Sequence, residues 1–255
     1  SKKEAPLSAS EAVSSGRETT NQGSFLHKSK HFVPILLPCH RNVLSLHRIS
    51  NFVHIKDIKY YMEKSFIALI EESIKKNWDL DALTDYKGAT LQYKDVARKI
   101  EKIHIIFEES GVKPGDKIAV CGRNMSHWGV TFLATVTYGA VVVPILHEFK
   151  ADQVHNIVNH SEAKLLFVGD VVWEALDESA MPNLEGIMLM NDFSILISRS
   201  EKLTYAREHL NELFGHKFPK NFRKEHINYY KDQPEELLVL NYTSGTTSFS
   251  KGVML

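Results

Sequence analysis

The sequence predicts an α/β fold, a mostly parallel sheet with helices on both faces. Three observations carry that prediction: short apolar runs rich in β-branched residues, stretches of helical periodicity that alternate with them, and Gly or Pro at most of the joins. Such a sheet is expected to have right-handed crossovers and to bind its ligands at the carboxyl ends of its strands. The chain can afford this architecture, because 255 residues with 43% hydrophobic and 24% charged side chains suffice for one large or two small domains. The same figures argue against a wholly disordered, fibrous or multi-span membrane chain.

The elements follow in order from residue 62. Phe66, Leu69, Ile70 and Ile74 share a helical face, and Glu71 with Lys75 forms a favourable i,i+4 pair. A turn at Lys87 and Gly88 leads to a short strand over 90–93. The next helix carries Val96, Ile100, Ile103 and Phe107 on one face and ends at Gly111, a residue suited to the left-handed position after a helix. Pro114 and Gly115 then turn the chain into a buried strand over 117–121.

Residues 128–146 contain no charged side chain, and a run of this length is within range of a membrane-spanning helix. Gly139 and Pro144 interrupt it, Thr131, Thr135 and Thr137 dilute it, and Val141, Val142 and Val143 suit a strand. A buried helix over 126–138 followed by a strand over 140–145 is therefore predicted. A helix over 151–159 and strands over 165–169, 187–190 and 237–242 extend the alternation.

Charge is distributed unevenly. The 31 basic and 31 acidic side chains balance overall, yet residues 1–61 hold nine Lys or Arg against four Asp or Glu, and the remainder is acidic. All six methionines lie at or after Met62, and the first thirty residues are polar without apolar periodicity. Residues 1–61 are expected to be a disordered or non-native extension, with Met62 the natural start and 62–255 the folded part. Glu4, Glu11, Glu18 and Asp57 argue against a transit peptide, and Pro34 and Pro38 break up the apolar run that a signal peptide would need. Only Cys39 and Cys121 are present, too few for a disulfide framework or a cysteine-rich zinc site, so a reducing compartment, the cytoplasm, is expected.

One strand end carries chemistry. The strand over 237–242 runs into Thr243, Ser244, Gly245, Thr246, Thr247, Ser248, Phe249, Ser250, Lys251 and Gly252, which place six hydroxyls, two glycines and a lysine within ten residues. Glycine-containing turns expose backbone N–H groups to anions, hydroxyls donate to phosphate oxygens, and an ammonium supplies charge, so this is a candidate polyphosphate site. A Ser/Thr-rich surface loop is the bland alternative, which the position after a buried strand disfavours. Ser250 and Gly252 around Lys251 do not fit the Walker pattern.

The string from Tyr242 to Val253 resembles the phosphate-binding signature Y-T-S-G-T-T-G-x-P-K-G-V of the adenylate-forming, AMP-producing acyl-CoA synthetases. Residues 111–120, Asn124, Trp128 and 139–144 resemble that family's early strand, helix and strand, so the likeness covers about residues 62–255. Pro144, His147, Glu148, Phe149 and Lys150 are most similar to bacterial long-chain fatty-acid CoA ligases. The resemblance implies the first part of the family's large N-terminal domain and a two-step reaction. A carboxylic acid, here a fatty acid, attacks ATP to give an acyl adenylate, and coenzyme A then displaces AMP. It further implies that Thr243, Ser244, Gly245, Thr246, Thr247 and Lys251 hold the β and γ phosphates, with Lys251 catalytic and Mg²⁺ sharing the charge.

Two positions depart from the signature. Ser248 replaces the usual glycine, at a cost of about 1 kcal/mol if its φ is positive, and Ser250 replaces the proline, which leaves the unbound segment less restricted. The resemblance implies that the family's adenine-binding segment, Mg²⁺-holding glutamate, ribose-binding aspartate, hinge and small domain lie downstream of this signature. The chain is thus expected to be a fragment, truncated after the phosphate segment, that does not turn over alone and self-associates through uncovered apolar surface. A non-catalytic α/β phosphate- or nucleotide-binding module is the alternative.

Three further features receive plain readings. His147, His155 and His160 are not spaced to ligate a metal from one helical face, and no zinc is expected. Residues 216–231 combine Lys217, Lys220, Arg223, Lys224 and Lys231 with aromatic side chains and read as a solvated loop. A peripheral membrane or coenzyme A contact is the alternative, and nucleic-acid binding is not expected of so acidic a body. Trp128 is expected to anchor the core.

Overall fold

The computed structural model describes residues 64–243 and 251–255, with backbone only at Lys251. The predicted extension over 1–61 lies outside the described residues, as do Ser244, Gly245, Thr246, Thr247, Ser248 and Ser250.

Helix α1 (Phe66–Lys76) starts where Ser65 Oγ accepts the Ala68 N–H at 3.2 Å. It buries Ile67, Ile70 and Ile74, so the inward face is turned from the predicted one: Ile67 goes inside, while Phe66 and Leu69 stay half-buried. The Glu71–Lys75 pair forms at 2.6 Å. A hairpin of β1 (Asp81–Thr84) and β2 (Thr90–Gln92), turning at Lys87 with φ 54°, precedes α2 (Tyr93–Ser110). Gln92 N–H donates to Asp95 Oδ2 at 3.0 Å to open α2, and Gly111 closes it at φ 83°.

The central sheet comprises β3 (Lys117–Cys121), β4 (Val141–Ile145), β5 (Leu165–Val168), β6 (Gly186–Leu189) and β7 (Ile195–Ser198), in the order β4-β3-β5-β6-β7. The first four strands are parallel, and β7 joins antiparallel. Between them lie α3 (Ser126–Tyr138), α4 (Ala151–Ser161) and the single turn α5 (Asp170–Trp173). The helices α6 (Glu201–Glu208) and α7 (Leu210–Lys217) follow β7. The chain ends in β8 (Leu240–Thr243) and β9 (Lys251–Met254).

Strand alternation sorts the core into two layers. Ile118, Val120, Val142, Leu165, Phe167 and Met188 meet α1, α2, α3, α6 and α7 on one face. Ala119, Cys121, Val143, Leu166, Val168 and Ile187 meet α4 and α5 on the other. The chain steps from β3 outward to β4 and then back across β3 to β5, and α3 and α4 lie on opposite faces, as right-handed crossovers in opposite directions require.

The uncharged run resolves into α3 and β4 as expected, and among the described residues no helix is long and apolar enough to cross a membrane. The helix buries its hydroxyls by turning them onto its own backbone: Thr131, Thr135 and Thr137 donate to the carbonyls of His127, Thr131 and Leu133 at 2.6–2.9 Å. Trp128 is a partial anchor, half-buried and stacked on Phe132 at 5.6 Å. The solvated-loop reading of 216–231 holds for its charged side chains, which are exposed, but not for its aromatic ones. Phe222, Ile227 and Tyr229 are buried, and Phe214, Phe218 and Phe222 cluster with centroids 4.9–5.7 Å apart, because aromatic side chains there cover the ends of α1 and α2. The charges of this segment point outward, and Lys217 and Lys231 reach Glu108 and Glu71 at 3.1 Å.

Candidate functional site

A doubly wound sheet of this order offers a crevice where β3 and β5 diverge to opposite faces, but here that crevice is filled. Gly122 and Gly169 follow the two strands, and a Cβ on Gly169 would lie 3.3 Å from Gly122 Cα. The Met190 side chain lies 3.1 Å from where a Gly122 Cβ would be. The backbones meet and a thioether plugs the gap, so the chemistry must be sought at the neighbouring strand end.

That neighbour is the β8–β9 pair. Val142 N–H donates to Leu238 O at 3.1 Å, and Val142 bridges Val239 in parallel, which lays the approach to β8 along the free edge of β4. Thr243 therefore emerges at the same end of the sheet as Ile145, Cys121 and Val168, the carboxyl end. Strand β9 returns antiparallel, with Asn241 opposite Val253, Tyr242 opposite Gly252 and Thr243 opposite Lys251. The two ends of the predicted phosphate segment, Thr243 and Lys251, are thus cross-strand partners, and Thr243 is exposed. Ser244, Gly245, Thr246 and Thr247 connect them outside the described residues.

Tyr242 anchors this base. It is 3% exposed, packs in the layer of Val143 and Val158, and meets His160 Nδ1 through its hydroxyl at 2.7 Å. Burial pushes its phenol above the ordinary range, so the hydroxyl keeps its proton. Across the hairpin, a Cβ on Gly252 would stand 3.5 Å from the Tyr242 ring.

The other histidines of the sequence cluster separate. His147 pairs with Glu148 at 3.2 Å, and His155 Nε2 accepts the Asp177 N–H at 3.1 Å. Among the described residues, no group of three or more His, Cys, Asp or Glu could hold a metal ion. Cys121 is buried and desolvation pushes its thiol up to about 12, so it is a poor nucleophile.

A second titratable cluster lies on the opposite face and was invisible in the sequence. Desolvation lowers buried His104 to about 3, against the hydrogen bond from Nε2 to Ala134 O at 2.9 Å. Desolvation also raises Glu101 to about 7, although Lys217 Nζ lies 3.7 Å away. Among the described residues the Tyr229 hydroxyl beside them has no hydrogen-bond partner. On helical periodicity these positions read only as α2 surface; Lys217 and Tyr229, which enclose them, come from more than a hundred residues later.

A mostly parallel α/β sheet flanked by helices matches the fold of the N-terminal domain of the adenylate-forming enzymes, and solved structures share the architecture. The anthranilate CoA ligase AuaEII, in complex with anthranoyl-AMP, superposes with a TM-score of 0.58 at 18% identity, covering 74% of this chain and 33% of that one. The long-chain-fatty-acid-CoA ligase FadD1 from Archaeoglobus fulgidus gives 0.57 at 20% identity, covering 75% and 36%. The chain belongs to the AMP-binding enzyme family, whose model matches residues 70–255. It is also similar to long-chain-fatty-acid–CoA ligase 5 of Rattus norvegicus, 27% identical over 175 residues, which make up 65% of this chain and 25% of the relative. The chain therefore spans about a quarter of the length of that curated relative.

Proposed function

We propose that this chain is the phosphate-holding portion of an ATP-dependent acyl-CoA synthetase that activates a long-chain fatty acid. In the first step a carboxylate oxygen attacks the α-phosphorus of ATP, the α–β phosphoanhydride bond breaks, and pyrophosphate leaves with the bond's electron pair. In the second the sulfur of coenzyme A attacks the acyl carbon, and AMP departs. The observation that carries this reading is the cross-strand pairing of Thr243 with Lys251, which closes the hydroxyl-rich segment at the carboxyl edge of the sheet.

Thr243, Ser244, Gly245, Thr246 and Thr247 are assigned to the β and γ phosphates, and Lys251 to the charge that builds on the departing pyrophosphate. Mg²⁺, when bound, neutralises part of the same charge. The fatty acid is favoured over other acids by the likeness to the rat ligase, whereas AuaEII, named for anthranilate, represents the competing aryl choice.

The test is ATP-dependent pyrophosphate release by the complete protein that carries this chain, offered a panel of fatty and aryl acids. Release with fatty acids is expected, and Lys251→Ala should lower kcat by about a hundredfold or more. Release with aryl acids alone would replace the substrate, and ATP binding without release under any acid would leave a nucleotide-binding module.

A further inference from the structure

We propose that His160 is a positioning residue for the phosphate segment, acting through Tyr242; the inference rests on the reading of that segment just given. Tyr242 is the last buried residue before exposed Thr243, so the placement of Thr243 depends on where this ring is held.

Two contacts hold it. The His160 and Tyr242 rings meet edge-on, centroids 5.7 Å apart at 89°, and the hydroxyl lies 2.7 Å from Nδ1. In the Nε2–H tautomer, Nδ1 accepts and the phenol donates. On the return strand, Gly252 lies opposite the ring, where a Cβ would stand in ordinary van der Waals contact with it at 3.5 Å. The ring is thus fixed at its hydroxyl by a helix and apposed to the strand that begins with Lys251.

The helix end is itself well anchored. Val154, Ile157 and Val158 of α4 are buried, and Asn159 Nδ2 donates to Ala180 O at 2.8 Å. The His155 acceptor to Asp177 N–H adds a second tie to the same connection. His160 therefore transmits the position of a fixed helix to Tyr242 and, through one backbone step on each strand, to Thr243 and Lys251. It touches no reacting atom in this scheme.

The experiment measures the dissociation constant of Mg·ATP for the complete protein as unaltered, His160→Ala, His160→Asn, Tyr242→Phe and the His160→Ala/Tyr242→Phe double variant, with the thermal midpoint of each recorded alongside. Loss of the bond should weaken binding about fivefold in either single alanine or phenylalanine variant, the worth of one net hydrogen bond. The double variant should be no weaker than the singles, since both remove one interaction. His160→Asn should restore binding to within about twofold, because an Asn amide places a polar atom near the Nδ1 position. Unchanged affinity in His160→Ala and Tyr242→Phe, or a lower thermal midpoint with no change in affinity, overturns the inference and leaves the function standing. Additive losses in the double variant overturn it equally. If the unaltered protein fails to bind Mg·ATP, the functional reading falls, and the inference falls with it. Should His160→Ala not fold, Tyr242→Phe, which keeps the buried ring, still decides.

Discussion

The two faces of the central sheet receive alternate residues from the same strands, yet they are covered in different ways. Against one face, α2 and α3 bury Glu101, His104, Ser110, Ser126, Thr131, Thr135 and Thr137 among the apolar side chains. Against the other, the buried side chains of α4 and α5 are apolar except for Ser161. The hairpin that carries the candidate site sends Tyr242 into this second, drier layer. The buried carboxyl and imidazole of Glu101 and His104 therefore lie on one side of the sheet, and the proposed phosphate segment is rooted on the other. A helix can bury hydroxyls cheaply by bonding them to its own carbonyls, which is how α3 does it. Glu101 and His104 have no such local solution and pay in shifted ionisation.

The largest test of this contrast truncates neighbouring residues of β5 that point to opposite faces. Phe167, fully buried beside Phe107 and Phe193 at 6.2 Å, should cost about 4 kcal/mol on replacement by alanine. Leu166, fully buried in the other layer, should cost about 3 kcal/mol. Urea unfolding of each variant reads both numbers, and a loss below about 1 kcal/mol at either position would show that its layer is not packed as described.

Next in size is the pH response of the polar face. Glu101 stands at about 7 in the folded chain against an ordinary 4.5, so the folded state holds an extra proton between these values and stability falls as pH rises from 4.5 to 7. His104 stands at about 3 against 6.5, so the unfolded state holds the extra proton and stability falls as pH drops from 6.5 to 3. Between 4.5 and 6.5 the two slopes oppose each other; above 6.5 the Glu101 loss is unopposed, and below 4.5 the His104 loss is. Glu101→Gln should stabilise the protein at pH 8 by about 2 kcal/mol and remove the alkaline limb of the profile. A variant no more stable than the parent at pH 8 would mean that Lys217 neutralises the carboxylate in place.

The smallest expected effect is on Tyr229. Its hydroxyl is buried without a partner among the described residues, so Tyr229→Phe should raise stability by about 1 kcal/mol through relief of desolvation. Thermal melting suffices to measure it, and a destabilised variant would reveal a partner for the hydroxyl and a less costly polar face than the one described.

Much of the parallel core was legible because its signals are local. Lys117–Cys121 and Ser126–Tyr138 have the predicted bounds, since Pro114, Gly115 and Gly139 mark where a strand or helix must stop. Strand β7 was missed: its four half-buried residues follow a turn at Phe193 in the left-handed region, φ 61°, and nothing in so short a run announces an antiparallel edge. In α1 the periodicity was right, but the inward face is rotated by a residue, because the hydrophobic residues 66, 67, 69 and 70 leave two faces nearly equal and only packing chooses between them. The aromatic burial in 216–231 was obscured by the lysines between the rings, whose ammonium groups reach solvent or distant acids.

By itself the sequence determined the alternation of strands and helices, the buried helix in the uncharged run, and the phosphate signature from Tyr242 to Val253, all of which rest on neighbours within a few residues. Tertiary structure alone decided that Thr243 and Lys251 face each other across β8 and β9, that Met190 fills the crevice at β3 and β5, and that His160 meets Tyr242 from 82 residues away. It also decided that Glu101 and His104 are inside. Each of these depends on which elements are brought together in space, and a local pattern of apolar and polar residues specifies an element's inward stripe without naming what will lie against it.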